Sequence, residues 1–123
     1  MSEGLKILIV DDDVNSLTTL TDLLSEDGYE VITAADGEKA LAKVGKEKPD
    51  VVLMDVRLPG SDGYEVCRQI KETEGLTTKV ILYTAYIDAV NVTKARAVGA
   101  DDFLGKASDF SNMRNVLKEI AGS

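Results

Sequence analysis

Three short stretches of this chain are apolar at nearly every position: Ile7-Leu8-Ile9-Val10, Val51-Val52-Leu53-Met54 and Val80-Ile81-Leu82-Tyr83. A strand with one wet face alternates apolar and polar residues, so an unbroken run implies burial on both faces, as at the centre of a parallel sheet. The first run extends back to Leu5. Two further segments complete a set recurring roughly every 25 residues, the spacing of repeated strand–helix units. Tyr29–Ala34 alternates more and Phe103–Leu104 is short, so both read as edge strands.

Helical periodicity fills the intervals. Leu17, Leu20 and Leu24 fall at i, i+3 and i+7, Ala40, Leu41 and Val44 form a shorter stripe, and Val66, Cys67 and Ile70 form another. Asp62 stands before that third stripe with Glu65 three residues on, a capping-box spacing with Asp in the cap role. Phe110, Met113, Leu117 and Ile120 mark a last helix, while Ile87–Val98 is an Ala-rich helix with a poor stripe. Gly28, Gly45, Gly75 and Gly99 each follow a helical stretch and read as stops. The expectation is an α/β fold, (βα)5, forming one domain over residues 1–123. Right-handed crossovers place helices on both faces of the sheet. Functional groups then gather at the carboxyl ends of the central strands, at the topological switch point.

Composition removes whole classes of chemistry. The 123 residues contain no His, which excludes Ser-His-Asp and Cys-His catalysis and His-ligated zinc on this chain. A single Cys, Cys67, cannot form an intramolecular disulfide and fits a reducing compartment. Fourteen basic against 22 acidic side chains give a net charge of −8, which disfavours nucleic acid and anionic membrane surfaces. No apolar run approaches the roughly 20 residues of a membrane span, and Met1–Gly4 lacks the basic start of a signal peptide. The expectation is a soluble, cytoplasmic protein whose metal, if any, is held by oxygen, which favours Mg²⁺, Mn²⁺ or Ca²⁺.

The residues that end the strands carry the chemistry. The first strand runs into Asp11-Asp12-Asp13, the third into Asp55, the fourth into Thr84-Ala85 and the fifth into Lys106. Carboxylates converging on one rim repel by about 4 kcal/mol for a pair 4 Å apart at an effective dielectric near 20. A hard divalent cation relieves that repulsion, and a carboxylate beside it can attack a phosphoryl group. Lys106 would neutralise a phosphoryl oxygen and Thr84 would donate a hydrogen bond to another. Asp13 reads as the N-cap of the helix from Val14 rather than as a ligand. Asp36 and Asp101-Asp102 read as caps and solvated charge.

In four segments the sequence resembles the receiver domains of two-component response regulators, over essentially all of the chain. They are Ile7–Asp13, Pro49–Gly63 (with Asp55-Val56-Arg57-Leu58-Pro59-Gly60), Ile81–Ala85 and Gly99–Lys106. The resemblance implies a flavodoxin-like doubly wound sheet of order 2-1-3-4-5. It implies that Asp55 accepts the phosphoryl group, that Asp12 binds Mg²⁺ (or Mn²⁺) directly, and that Asp11 does so mainly through water. Asp55 itself and the main-chain carbonyl of Arg57 complete the implied metal set. Thr84 resembles the switch hydroxyl, Lys106 the phosphate-pairing lysine, and Pro59 and Gly63 turn and spacing residues. Phe103 occupies the switch-aromatic position, with packing in the fifth strand as its alternative role.

The implied function is a phosphorylation-activated signalling switch, not an enzyme in its own right. A phosphohistidine on a partner histidine kinase or histidine phosphotransfer protein would supply the phosphoryl group. The face of the fourth helix, fifth strand and fifth helix would then change for a downstream protein target. A phosphorelay intermediate, the N-terminal receiver of a longer regulator and a phosphorylation-independent binding module are the alternatives. No nucleic-acid contact or membrane insertion is expected. A hydrolase built on an Asp nucleophile is disfavoured, since Arg57 stands where a second general acid would be needed. Two departures from the family pattern stand out. Ala107 follows Lys106 where the family usually has proline, and a trans Lys106–Ala107 bond is expected because a cis bond to a non-proline costs about 2.5–4 kcal/mol. Arg57 and Tyr86, two residues after Asp55 and Thr84, are bulky. Either they hinder attacking water and prolong the phosphorylated state, or they are solvated surface side chains.

Overall fold

A computed structural model describes residues 5–85, 87–106 and 110–122. The Lys106–Ala107 peptide and Tyr86 lie outside the described residues. Five strands form one parallel sheet: β1 (Lys6–Val10), β2 (Glu30–Ala34), β3 (Val51–Asp55), β6 (Lys79–Thr84) and β7 (Asp102–Gly105). Their order is β2-β1-β3-β6-β7, so the two segments read as edges are the edges. The helices are α1 (Val14–Glu26), α2 (Gly37–Glu47), α3 (Gly63–Glu72), α4 (Ala89–Ala97) and α5 (Ser111–Gly122). A two-stranded antiparallel hairpin of β4 (Arg57–Leu58) and β5 (Ser61–Asp62) follows β3. It carries no alternating pattern, being only two residues per strand around Pro59-Gly60, and sequence periodicity did not disclose it.

Strand alternation sorts the core into two layers. Leu8, Val10, Val52, Met54, Val80 and Leu82 pack against Ala40 and Val44 of α2, Val66, Cys67 and Ile70 of α3, and Ala95 of α4. Ile7, Ile9, Val51, Leu53, Ile81 and Tyr83 face Leu20 and Leu24 of α1 and Met113 and Leu117 of α5. Both layers contain side chains with no exposure at all, which is what the unbroken apolar runs required. Burial pushes the Cys67 thiol up to about 12, so it packs as an inert apolar group. No described helix is long and apolar enough to cross a membrane.

Helix ends depart from the sequence reading in instructive ways. Gly28, Gly75 and Gly99 turn the chain with φ of 96°, 85° and 84°, as stops should. Gly45 does not stop α2, which continues to Glu47 and ends at Lys48 in the left-handed region (φ 47°). The cause is Pro49, whose ring disfavours the α region for the residue before it. Asp62 caps α3 through Tyr64 N–H, but Glu65 does not reach back. It is held by Arg68, whose Nε and Nη2 lie 2.7 and 2.8 Å from its two oxygens, so the charge pair wins over the capping box. Phe110 is not in the last helix. It sits buried before α5 at φ 54°. Asp101 is exposed, as read, yet not idle: it accepts from Lys71 Nζ and Val80 N–H, both at 2.8 Å, tying α3 to β6. α4 is shorter than expected because Asp88 caps it through Asn91 N–H, and only Ala95 of its residues is buried, which is why its stripe was poor.

Two predictions concern stability. A Cβ on Gly63 would stand 2.5 Å from the Asp55 carbonyl oxygen and 2.7 Å from Val56 Cα. Backbone cannot yield there as a side-chain tip can, so Gly63→Ala is expected to lose about 1–3 kcal/mol, read from the urea midpoint. At the other end of the molecule, Arg114 of α5 grips Asp27 at the end of α1 with two bonds, Nε–Oδ2 2.9 Å and Nη2–Oδ1 2.8 Å. That hydrogen-bonded guanidinium holds the Asp27 carboxyl below its usual value, against the opposing effect of burial. A lowered folded-state pKa stabilises at pH above the unfolded carboxylate value and is lost as pH falls through the folded one. Asp27→Asn is therefore expected to cost about 1 kcal/mol at pH 7. In urea titrations its deficit should shrink progressively below the ordinary carboxylate range.

Candidate functional site

The carboxyl ends of β1, β3, β6 and β7 open into a cleft of about 640 Å³ lined by Asp11, Asp12, Asp55, Arg57, Thr84 and Lys106, among others. Every residue singled out from the strand ends faces this one cleft. The strand pairing explains the convergence. β3 lies between β1 and β6, with Val10 opposite Met54 and Asp55 opposite Tyr83, so their last residues end level.

Alternation decides which polar groups share a face. Asp11 continues the series Ile7, Ile9, while Asp55 continues Val51, Leu53, and Lys106 continues Leu104. All three project on the α1/α5 side. Lys106 Nζ lies 3.0 Å from Asp55 Oδ2 and 3.3 Å from Asp11 Oδ2, bridging the two acids. Asp11 has no exposure and Asp55 is buried at 8%. Burial works against the Lys106 charge, but its hydrogen bonds and charge pairing with Asp55 and Asp11 outweigh that and hold its pKa above the usual lysine value. The ammonium therefore stays charged throughout the physiological range. Lys106 N–H also donates to the Thr84 carbonyl at 2.8 Å, which fastens the end of β7 to that of β6.

The remaining bonds fix the acids' orientations. Asp11 Oδ1 accepts from Asp13 N–H at 2.9 Å, and Asp55 Oδ1 accepts from Arg57 N–H at 2.9 Å. Asp13 caps α1 through Asn15 N–H at 3.1 Å and accepts from Ser16 Oγ at 3.0 Å, as the sequence suggested. Asp12 projects exposed at the cleft mouth. Thr84 is buried at the cleft, and strand parity puts it on the sheet face of Leu82, the α2/α3/α4 side. Phe103 shares that side, half-buried, with its ring centroid 6.3 Å from that of Tyr64 at 56°. The Arg57 side chain is exposed on the cleft wall and makes no ion pair among the described residues.

One participant was not found from sequence. The Tyr83 hydroxyl donates to Asp11 Oδ2 at 2.8 Å, fully buried, and Lys106 Nζ stands 5.3 Å from its ring centroid. Burial first, and then the Asp11 charge, raise the phenol pKa far above its ordinary value, so it remains a donor. The available signal was chemical: a Tyr closing an otherwise aliphatic core strand must find a partner for its hydroxyl.

Among the described residues no group of three acidic, His or Cys side chains is close enough to hold a metal ion by itself. The acidic residues lining the cleft, Asp11, Asp12 and Asp55 among them, offer oxygen ligands. That set suits Mg²⁺, which keeps several waters and takes one or two carboxylates rather than a full protein cage.

Comparison with known proteins identifies the family. The family model for the response regulator receiver domain matches residues 7–118. Sporulation initiation phosphotransferase F of Bacillus subtilis is 35% identical over 114 residues, covering 93% of this chain and 91% of that protein. The alkaline phosphatase synthesis transcriptional regulatory protein PhoP of the same organism is 43% identical over 101 residues, covering 82% of this chain but 42% of the relative. The chain thus spans less than half the length of that longer regulator. Among solved structures, response regulator TrrA from Thermotoga maritima, in complex with Mg²⁺–BeF, superposes with a TM-score of 0.84 at 34% identity. That match covers 94% of this chain and 98% of TrrA. Chemotaxis response regulator CheY4 of Vibrio cholerae gives 0.85 at 29% identity, with the same coverages. The chain belongs to the response regulator receiver domain family of two-component signalling.

Proposed function

We propose that residues 1–123 act as one phosphoryl-accepting receiver domain with Asp55 as the acceptor. The observation that carries the reading is the Lys106 ammonium 3.0 Å from Asp55 Oδ2 in a cleft walled by further carboxylates. The attacking atom is an Asp55 carboxylate oxygen. It forms a new O–P bond as the P–N bond of a partner's phosphohistidine breaks, and the electron pair returns to the imidazole nitrogen, which takes up a proton. The donor is external because this chain has no His, so a histidine kinase or histidine phosphotransfer protein is the partner class.

Asp12, Asp55, the Arg57 carbonyl and, through water, Asp11 would hold Mg²⁺. Bound there, the ion offsets charge on the phosphoryl oxygens. Lys106 neutralises a phosphoryl oxygen and Thr84 donates to another. The added charge, about −1.5 to −2, is a strong local perturbation. Thr84 and Phe103 share the α2/α3/α4 layer, so an inward shift of Thr84 makes room for Phe103 and biases the α4–β7–α5 face toward a downstream protein. A phosphorelay intermediate is the second reading, favoured by the near full-length match to phosphotransferase F.

Intact-mass analysis after incubation with acetyl phosphate and Mg²⁺ tests the reading. A phosphoryl adduct is expected on the wild-type chain, dependent on Mg²⁺ and absent from Asp55→Ala. A folded chain without an adduct would turn the reading toward a phosphorylation-independent binding module. A second expectation concerns lifetime. The Arg57 side chain stands on the cleft wall, and Tyr86 is a second bulky residue two positions after Thr84; the pair is read as hindering water at the phosphoryl group, so Arg57→Ala combined with Tyr86→Ala is expected to dephosphorylate several-fold faster. Decay of the adduct after removal of acetyl phosphate measures this, and an unchanged rate would assign both side chains to solvent.

A further inference from the structure

Asp11 has no exposed surface, and its Oδ2 accepts from two side chains. One comes from the Tyr83 hydroxyl at 2.8 Å and the other from Lys106 Nζ at 3.3 Å. The other oxygen is held by Asp13 N–H at 2.9 Å. Lys106 thus has two acidic partners, Asp11 and Asp55, whereas Tyr83 has Asp11 alone among its recorded side-chain bonds. Removing the only charged donor from a buried carboxylate is costly, because the carboxylate is left short of partners. A second donor already in place reduces that cost.

We propose that Tyr83 is a positioning residue that holds Asp11 while Lys106 changes partners. The inference rests on the reading of Asp55 as phosphoryl acceptor. In that chemistry Lys106 must swing from bridging Asp11 and Asp55 to pairing with the incoming phosphoryl oxygen. The Tyr83 hydroxyl keeps Asp11 Oδ2 bonded and oriented throughout, and no proton is transferred. The ring also lies beneath the ammonium, with Nζ 5.3 Å from its centroid, so the same side chain gives Lys106 a face to move across. The hydroxyl has a second effect. By drawing charge from Asp11 it makes that carboxylate a weaker partner for a cation in the cleft.

Tyr83→Phe removes the hydroxyl and leaves the ring. Two opposite effects are expected. Calorimetric titration with Mg²⁺ alone should show affinity about fivefold higher, since the cation now supplies what the hydroxyl gave. Phosphorylation by acetyl phosphate at saturating Mg²⁺, followed by intact mass, should be about fivefold slower, since Lys106 is now the only side-chain donor on Asp11 Oδ2. A merely loosened core would weaken Mg²⁺ binding, the opposite direction, and a urea midpoint on the same sample shows whether the core is intact. Unchanged or weaker Mg²⁺ binding, or phosphorylation at the wild-type rate, would overturn the inference. A wild-type chain that binds Mg²⁺ yet gains no Asp55 adduct would instead overturn the underlying reading, and this inference with it.

Discussion

A carboxylate with no exposure to solvent has to be compensated by the protein, and Asp11 is such a group at the end of the central strand pair. Left alone its burial would cost several kcal/mol. The surrounding structure answers from three places in the chain: Asp13 N–H from the same loop, Tyr83 from β6 and Lys106 from the end of β7. Those partners are 2, 72 and 95 positions away in sequence, so the bonds form only when β1, β3, β6 and β7 end level. The site and the sheet therefore specify one another. The apolar runs bring the strands together, and the polar cluster penalises any register that leaves Asp11 unpaired.

Strand parity then divides the labour. Asp11, Asp55, Tyr83 and Lys106 lie on the α1/α5 side, while Thr84 and Phe103 lie on the α2/α3/α4 side. A period of two makes neighbours in sequence face opposite ways. The consecutive pair Tyr83-Thr84 thus contributes one side chain to the buried polar cluster and the next to the opposite layer. The two faces share a single strand, β6, whose six residues are buried apart from Lys79. On the proposed reading, that shared strand is the route by which a change in charge at the cleft would reach the packing beneath α4.

Much of this was legible in the sequence because burial on both faces writes itself as unbroken apolar runs. The strand order, the edges and the convergence of Asp11, Asp12, Asp55, Thr84 and Lys106 follow from runs, right-handed crossovers and motif resemblance. What escaped was decided by partners distant in the chain or by strong neighbours. The β4–β5 hairpin is too short to carry a period. Gly45 lost its role as a stop to Pro49. Glu65 preferred Arg68 to the helix cap. The partners of the exposed Asp101 escaped because Lys71 and the Val80 N–H are 30 and 21 positions away.

Tyr83 is the most informative of these omissions. Read as a pattern, it simply ends an apolar run, where a large aliphatic residue would serve the hydrophobic pattern as well. A phenol differs from an aliphatic side chain by one oxygen, and that oxygen cannot be buried without a partner except at a cost of about 1–3 kcal/mol. A core position that carries tyrosine has therefore met a second requirement besides filling space. Here that requirement is visible as a 2.8 Å bond to the most buried acid of the site. Hydrophobic pattern locates the strands, and the polar atoms that break the pattern locate the chemistry.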